Sequence, residues 1–178
     1  TGPLFLYKPA QYEFLPGAPD SETEKKVRAA ARLFEGASAE GLPVLSAEAA
    51  GLAALREAGY AEAETLERVA VADHADNTLA VTFRYHTGPK ILMGGVQIEG
   101  SHKTKTSYLE SLRSWKDGDI YSPAALELLT VRATDTGVFD SVTARVAPAE
   151  PGADSAGGNQ RRDIILTVSE RKPRTITL

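Results

Sequence analysis

Thr87-Gly88-Pro89-Lys90-Ile91-Leu92-Met93-Gly94-Gly95-Val96-Gln97-Ile98-Glu99 decides the fold, because the chain has already carried its skeleton once. Thr1-Gly2-Pro3, Leu6, Gln11 and Glu13 stand at the same spacing as Thr87-Gly88-Pro89, Leu92, Gln97 and Glu99. A second echo follows later in each unit: Ala58-Gly59-Tyr60-Ala61-Glu62-Ala63 answers to Thr136-Gly137-Val138-Phe139-Asp140-Ser141. Lys172-Pro173-Arg174-Thr175-Ile176 reads as the opening of a third unit. Self-similarity at a period of about 80 residues marks tandem modules, which build extended binding arms more often than a single catalytic cleft.

The repeat divides the 178 residues into two modules, 1–87 and 88–178, each long enough to fold on its own core. Hydrophobic residues make up 42% and charged residues 25%, which is globular rather than disordered composition. A net charge of −4 argues against general nucleic-acid binding, which concentrates positive charge against phosphates. With no cysteine there is no disulfide, thiolate nucleophile or zinc–thiolate site, and the redox compartment stays open. No stretch approaches the length of a membrane-spanning helix, and the chain opens on Thr1, as a piece of a longer protein would.

Within unit one, Leu4 to Phe14 is extended and broken by Pro9, which places it at an edge or a bulge. Ser21-x-x-Glu24 has the form of a capping box, and Val27, Ala30, Ala31 and Phe34 share the apolar face of the helix behind it. Gly36 to Pro43 reads as a loop, Ser46 as the cap of a second helix carrying Leu52 and Leu55, and Gly59 as its stop. A strand from Glu62 to Ala72 places Ala63, Thr65, Val69 and Val71 on one face. Beyond the turn at Asp73 to Asn77, Leu79, Val81, Phe83 and Tyr85 alternate strictly.

Unit two repeats the order. Met93 to Glu99 is extended, with Val96 and Ile98 on one face, and Thr104 to Trp115 is helical with Tyr108, Leu109 and Leu112 aligned. Ser122-Pro123 caps a second helix that buries Leu126, Leu129 and Ala133. Val142, Ala144, Val146 and then Ile164, Leu166, Val168 form two strands around a Gly/Ala/Pro-rich loop from Pro148 to Gln160. Both units therefore read strand, helix, helix, strand, strand: an α+β fold with two helices on one face of a three-stranded mixed sheet.

Gly95-Val96-Gln97-Ile98-Glu99-Gly100, Gly118-Asp119-Ile120-Tyr121-Ser122, Thr136-Gly137-Val138-Phe139-Asp140-Ser141-Val142 and Leu166-Thr167-Val168-Ser169-Glu170-Arg171 resemble the POTRA (polypeptide-transport-associated) module of outer-membrane assembly proteins. Unit two resembles the last module before a membrane β-barrel. Unit one resembles the penultimate one, with Ala58 to Ala63 and Asn77-Thr78-Leu79-Ala80-Val81 as its markers. The Gly-Pro junctions look more like TamA than BamA within the BamA/TamA superfamily. This resemblance implies the periplasmic portion of a Gram-negative outer-membrane protein, reaching the membrane only through a C-terminal barrel absent from this chain. It implies handling of unfolded outer-membrane or autotransporter polypeptides, docking of a TamB-like inner-membrane-anchored partner, and neither cofactor nor catalysis. The arm of a BamA protein or a two-partner secretion transporter, or a structural spacer that docks one fixed partner, are its alternatives.

The mechanism such a module offers is β-augmentation, in which a client strand completes the open hydrogen bonds of a sheet edge. Ala63 to Val71 and Val142 to Ala147 are the candidate edges, and Glu64, Arg68, Thr143 and Arg145 are the outward residues expected to meet a client. The competing reading of these four is edge protection, since charges at an edge also deter aggregation. Tyr60, Phe139 and Trp115 are expected in the core. His74, His86 and His102 lack ligand spacing, Asp117-Gly118-Asp119 lacks the rest of a calcium loop, and Gly94-Gly95 and Gly157-Gly158 match no phosphate loop.

Overall fold

The computed structural model describes residues 4–149 and 158–171. The expected third opening at 172–176, the first Thr-Gly-Pro at 1–3, Gly157 and most of the loop after Pro148 lie outside the described residues. The chain forms two compact units whose main boundary lies between Lys90 and Ile91, and Gly158 groups with the first.

Unit one contains β1 (Leu6–Tyr7), β2 (Gln11–Leu15), α1 (Ser21–Ala30), α2 (Gly41–Glu57), β3 (Glu64–Thr65), β4 (Val69–Asp73) and β5 (Thr78–His86). β5 is the central strand. β1 and β2 run parallel along one side of it, and β3 and β4 run antiparallel along the other. Val81, Phe83 and Tyr85 point from β5 into the core, as their alternation predicts. Tyr12 and Phe14 lie beside Phe83 and Tyr85 as cross-strand aromatic pairs with centroids 5.9 and 6.0 Å apart.

Each flank of β5 is interrupted once. Between Tyr7↔Leu79 and Gln11↔Thr82 three residues, with Pro9 at their centre, face two of β5. Between Thr65↔Tyr85 and Val69↔Thr82 three residues, Leu66 to Arg68, again face two. Both are β-bulges. The second corrects the expected strand from Glu62 to Ala72. Pairing puts Thr65 on the helix side with Tyr85, yet it puts Val69 and Val71 on the opposite face with Thr82 and Ala80. Those valines stand 45% and 58% exposed.

The helices begin elsewhere than their sequence signals indicate. Asp20, not Ser21, is the N-cap of α1; its carboxylate accepts the Thr23 main-chain N–H at 3.0 Å and the Thr23 hydroxyl at 2.8 Å. α1 stops at Ala30, so the 3.6-residue period does not extend to Phe34. Leu33 turns inward instead, Ala30 and Phe34 stay exposed, and the Arg32 guanidinium lies 5.0 Å from the Phe34 ring centre. α2 starts at Gly41 behind Glu40, so Ser46 is inside the helix rather than capping it. Pro43 fits the first turn, where no main-chain donor is required. Val44, Ala47, Gly51 and Leu55 bury one face. Gly59, at φ +104°, ends α2: its N–H donates to the Arg56 carbonyl, and that of Tyr60 to the Leu55 carbonyl.

Unit two contains β6 (Lys90–Glu99, its first residue belonging to unit one by contact), α3 (Thr106–Ser111), α4 (Pro123–Asp135), β7 (Phe139–Val146) and β8 (Asn159–Glu170), with sheet order β6-β8-β7. α4 is as expected, with the Ser122 hydroxyl capping, Pro123 in the first turn and Leu126, Leu129 and Ala133 buried. α3 is shorter than the predicted helix from Thr104 to Trp115, and Tyr108 is exposed. Trp115 nevertheless enters the core from the segment beyond α3, and its Nε1–H donates to the Gly94 carbonyl at 2.9 Å. In β6, Met93 and then Val96 and Ile98 all join the core, although their numbers change parity; the strand shifts phase at Gly94-Gly95. The Asp163 carboxylate sits over that shift, accepts the Gly95 N–H at 2.9 Å, and occupies the space a Cβ on Gly94 would need.

Leu6 and Leu92, equivalent in the sequence repeat, each make an isolated antiparallel bridge, to Ser38 and Ile120 respectively. Tyr7 exchanges main-chain bonds with Ala37 and Gly36, and Met93 with Asp119 and Gly118. Gly36 and Gly118 both take positive φ, at +76° and +93°. The start of the first strand is thus sealed by a glycine-led loop in both units. At the far end of β8, Glu170 Oε1 accepts the successive main-chain N–H groups of His102, Lys103 and Thr104 at 3.1, 2.8 and 2.9 Å.

Candidate strand-pairing edges

β4 and β7 are the penultimate strands of their units, and among the described residues each has a strand partner on one side only, β5 and β8 respectively. Among the described residues no loop bridges to either, unlike the starts of β1 and β6. Which main-chain groups face outward follows from the ladder, because residues of an antiparallel pair alternately point toward and away from their partner.

In unit two the Ala147 N–H donates to the Asp163 carbonyl, in register with Val146↔Ile164. Counting back, Arg145↔Ile165 and Thr143↔Thr167 are the hydrogen-bonded pairs. Val142, Ala144 and Val146 then direct N–H and C=O to the open edge. In unit one the Leu66 N–H donates to the Arg84 carbonyl, so even-numbered residues of β5 bond toward β3 and β4. Lys8 donates to Leu79 on the other side, as that alternation requires. Val69↔Thr82 and Val71↔Ala80 are hydrogen-bonded pairs, and Ala70 and Ala72 face outward.

The residues singled out from the sequence are arranged differently from one another. Glu64 lies on β3 opposite His86 and is exposed. Arg68 lies in the bulge and turns back to Glu48 of α2, with Nη1 2.9 Å from its carboxylate. Thr143 and Arg145 project from the polar outer face of β7, and Arg145 reaches 4.0 Å from Glu99, across β8. Their own main-chain groups are committed to β8. The groups open to a partner strand therefore belong to Ala70, Ala72, Val142, Ala144 and Val146, which sequence reasoning assigned to the interior or passed over. No side-chain letter signals an outward backbone amide; pairing parity does.

The two other flagged aromatics are buried as expected. Tyr60 packs in the core of unit one and Phe139 in that of unit two. The His74 ring meets Phe5 edge-on at 5.2 Å. Among the described residues no helix is long and apolar enough to cross a membrane.

Residues 91–171 match the POTRA family model, described as a surface antigen variable number repeat. The second unit has the POTRA fold. The whole chain is similar to the POTRA3–5 fragment of BamA from Haemophilus influenzae, with 25% identity and a TM-score of 0.68 over 93% of this chain and 61% of that one. It is similar in fold to BamA of Haemophilus ducreyi lacking POTRA domains 1–3, with 20% identity and a TM-score of 0.72 over 94% of this chain and 30% of that one. POTRA1–2 of Omp85 from Anabaena matches at 18% identity and a TM-score of 0.57, over 98% of this chain and 100% of that one. This chain thus spans less than two thirds of the two BamA chains. Taken together, these matches show a POTRA-type fold in both units.

Proposed function

We propose that this chain is part of the periplasmic arm of an outer-membrane assembly protein and that it works by binding rather than catalysis. It holds unfolded outer-membrane or autotransporter polypeptides as added strands at β4 and β7 and passes them toward a membrane barrel. The observation that carries this reading is the pair of penultimate strands whose outward main-chain groups, at Ala70, Ala72, Val142, Ala144 and Val146, meet no other element among the described residues. Main-chain pairing depends little on client sequence, as a general assembly arm requires.

Within the superfamily we place the chain on the TamA-like side, with a TamB-like inner-membrane-anchored protein as its standing partner. The Thr87-Gly88-Pro89 junction supports this. On this reading Glu64, Arg68, Thr143 and Arg145 flank the client rather than hold it.

Site-directed photocrosslinking in the full-length protein tests the proposal, with the probe at Ala70, Ala72 or Ala144 and controls at exposed Ala53 of α2 and Ala124 of α4. Capture of many outer-membrane polypeptides at the strand positions alone supports delivery. Capture of one constant partner there indicates a docking spacer. Client capture at the helix positions only would overturn the edge reading.

A further inference from the structure

The two edges differ in what lies beside them. Cross-strand neighbours share a face of the sheet, so a client residue paired with Ala70 places its side chain on the helix side. There a cleft of about 450 Å³ is lined by Glu48, Thr65, Leu66, Glu67, Arg68 and Ala70 itself. Ala70, the smallest of these lining residues, leaves room for a long side chain. Two carboxylates and one guanidinium line it, an excess of one negative charge; Glu48 is matched by Arg68 at 2.9 Å. On the opposite face the client's next residues lie against Val69 and Val71. These are the close, non-hydrogen-bonded positions of the new pair, at about 4.5 Å between Cα atoms. Both valines are solvent-exposed without a client.

We propose that β4 selects, among extended polypeptides, a strand that carries a lysine or arginine opposite Ala70 and apolar residues on either side of it. This rests on the edge-pairing reading above and adds a chemical preference to it. The basic side chain enters the cleft beside Glu67, and the flanking apolar side chains cover Val69 and Val71. An acidic residue at the same position meets like charge.

The test uses short synthetic peptides alternating valine and serine, with one central serine-face position set to lysine or glutamate. They are titrated against the isotopically labelled 178-residue chain. Amide shifts at Ala70 and Ala72 report pairing. The lysine peptide is expected to bind about threefold to fivefold more tightly than the glutamate peptide at low salt, the scale of a partly exposed ion pair. The difference narrows as salt rises, and it narrows in Glu67→Gln, an exposed substitution. Equal affinity of the two peptides at Ala70 and Ala72 would overturn the selectivity and leave the edge reading intact. Absence of shifts at these residues with every peptide would overturn both at β4.

Discussion

The Tyr85 hydroxyl fills the space that a Cβ on Gly51 would require, and the Cβ of Ala31, the residue that caps the end of α1, closes the same space. The hydroxyl is there because it donates to the Glu48 carbonyl at 3.2 Å, inside α2. Burial pushes the Tyr85 phenol well above its ordinary pKa, so it stays a neutral donor. Gly51→Ala would gain about 1 kcal/mol of helix propensity, yet overpacking costs about 1–3 kcal/mol. Net destabilisation in urea unfolding is expected. In a Tyr85→Phe background the alanine penalty shrinks, and a double-mutant cycle reads the coupling.

Glu170 is held at a pKa of about 2, against 4.5, chiefly by the main-chain N–H groups of Lys103, Thr104 and His102. A carboxyl whose folded pKa is depressed stabilises the fold fully above its unfolded value and loses that contribution as pH falls through the folded one. Unfolding by denaturant between pH 5 and 2 should show unit two weakening through this window. Glu170→Gln should flatten the dependence, and a slope identical to wild type would remove Glu170 as its source.

Proline discriminates the two orientations along β7. The Ala144 N–H points away from β8, so Ala144→Pro keeps the ladder, whereas Thr143→Pro deletes one of its bonds. Circular dichroism melts should show the larger loss for Thr143→Pro. Client crosslinking should fall in Ala144→Pro while the module remains folded; unchanged crosslinking there would sink strand addition at β7.

Asp20→Ala should cost about 1 kcal/mol, the ordinary worth of a helix N-cap. Asp20 is held at a pKa of about 2, below its usual 3.8, first by the Thr23 main-chain N–H. Ser21→Ala should be close to neutral, because Ser21 is already inside the helix. Equal losses from the two in chemical denaturation would return the cap to the Ser21 box.

Legibility followed the kind of signal. The alternation of Val81, Phe83 and Tyr85, the Ser122-Pro123 start of α4 and the Gly59 stop each act over one turn or one strand, and each stands where the sequence puts it. Ala63, Thr65, Val69 and Val71 share one parity in the sequence but not one face, because a bulge at Leu66 to Arg68, set by pairing with β5 and by no residue type, falls between them. Phe34 fits the helical period but lies beyond the last residue of α1, so the period does not set its face. Edge location was legible at the level of strands, but the outward amides depend on pairing parity.

The Thr87 N–H and hydroxyl both donate to the Leu15 carbonyl, at 2.9 and 3.3 Å. Gly88 packs near Glu62, Pro89 is buried, and the Lys90 ammonium lies 3.2 Å from the Asp20 cap. The stretch that opens the second module in the sequence repeat is therefore a fastening for the first unit. A truncation ending at His86 would strip the partner from the last carbonyl of β2 and the ammonium from the cap of α1, and would yield a weaker fragment than one ending at Lys90. Proteases that seek exposed connectors should likewise spare Thr87 to Lys90.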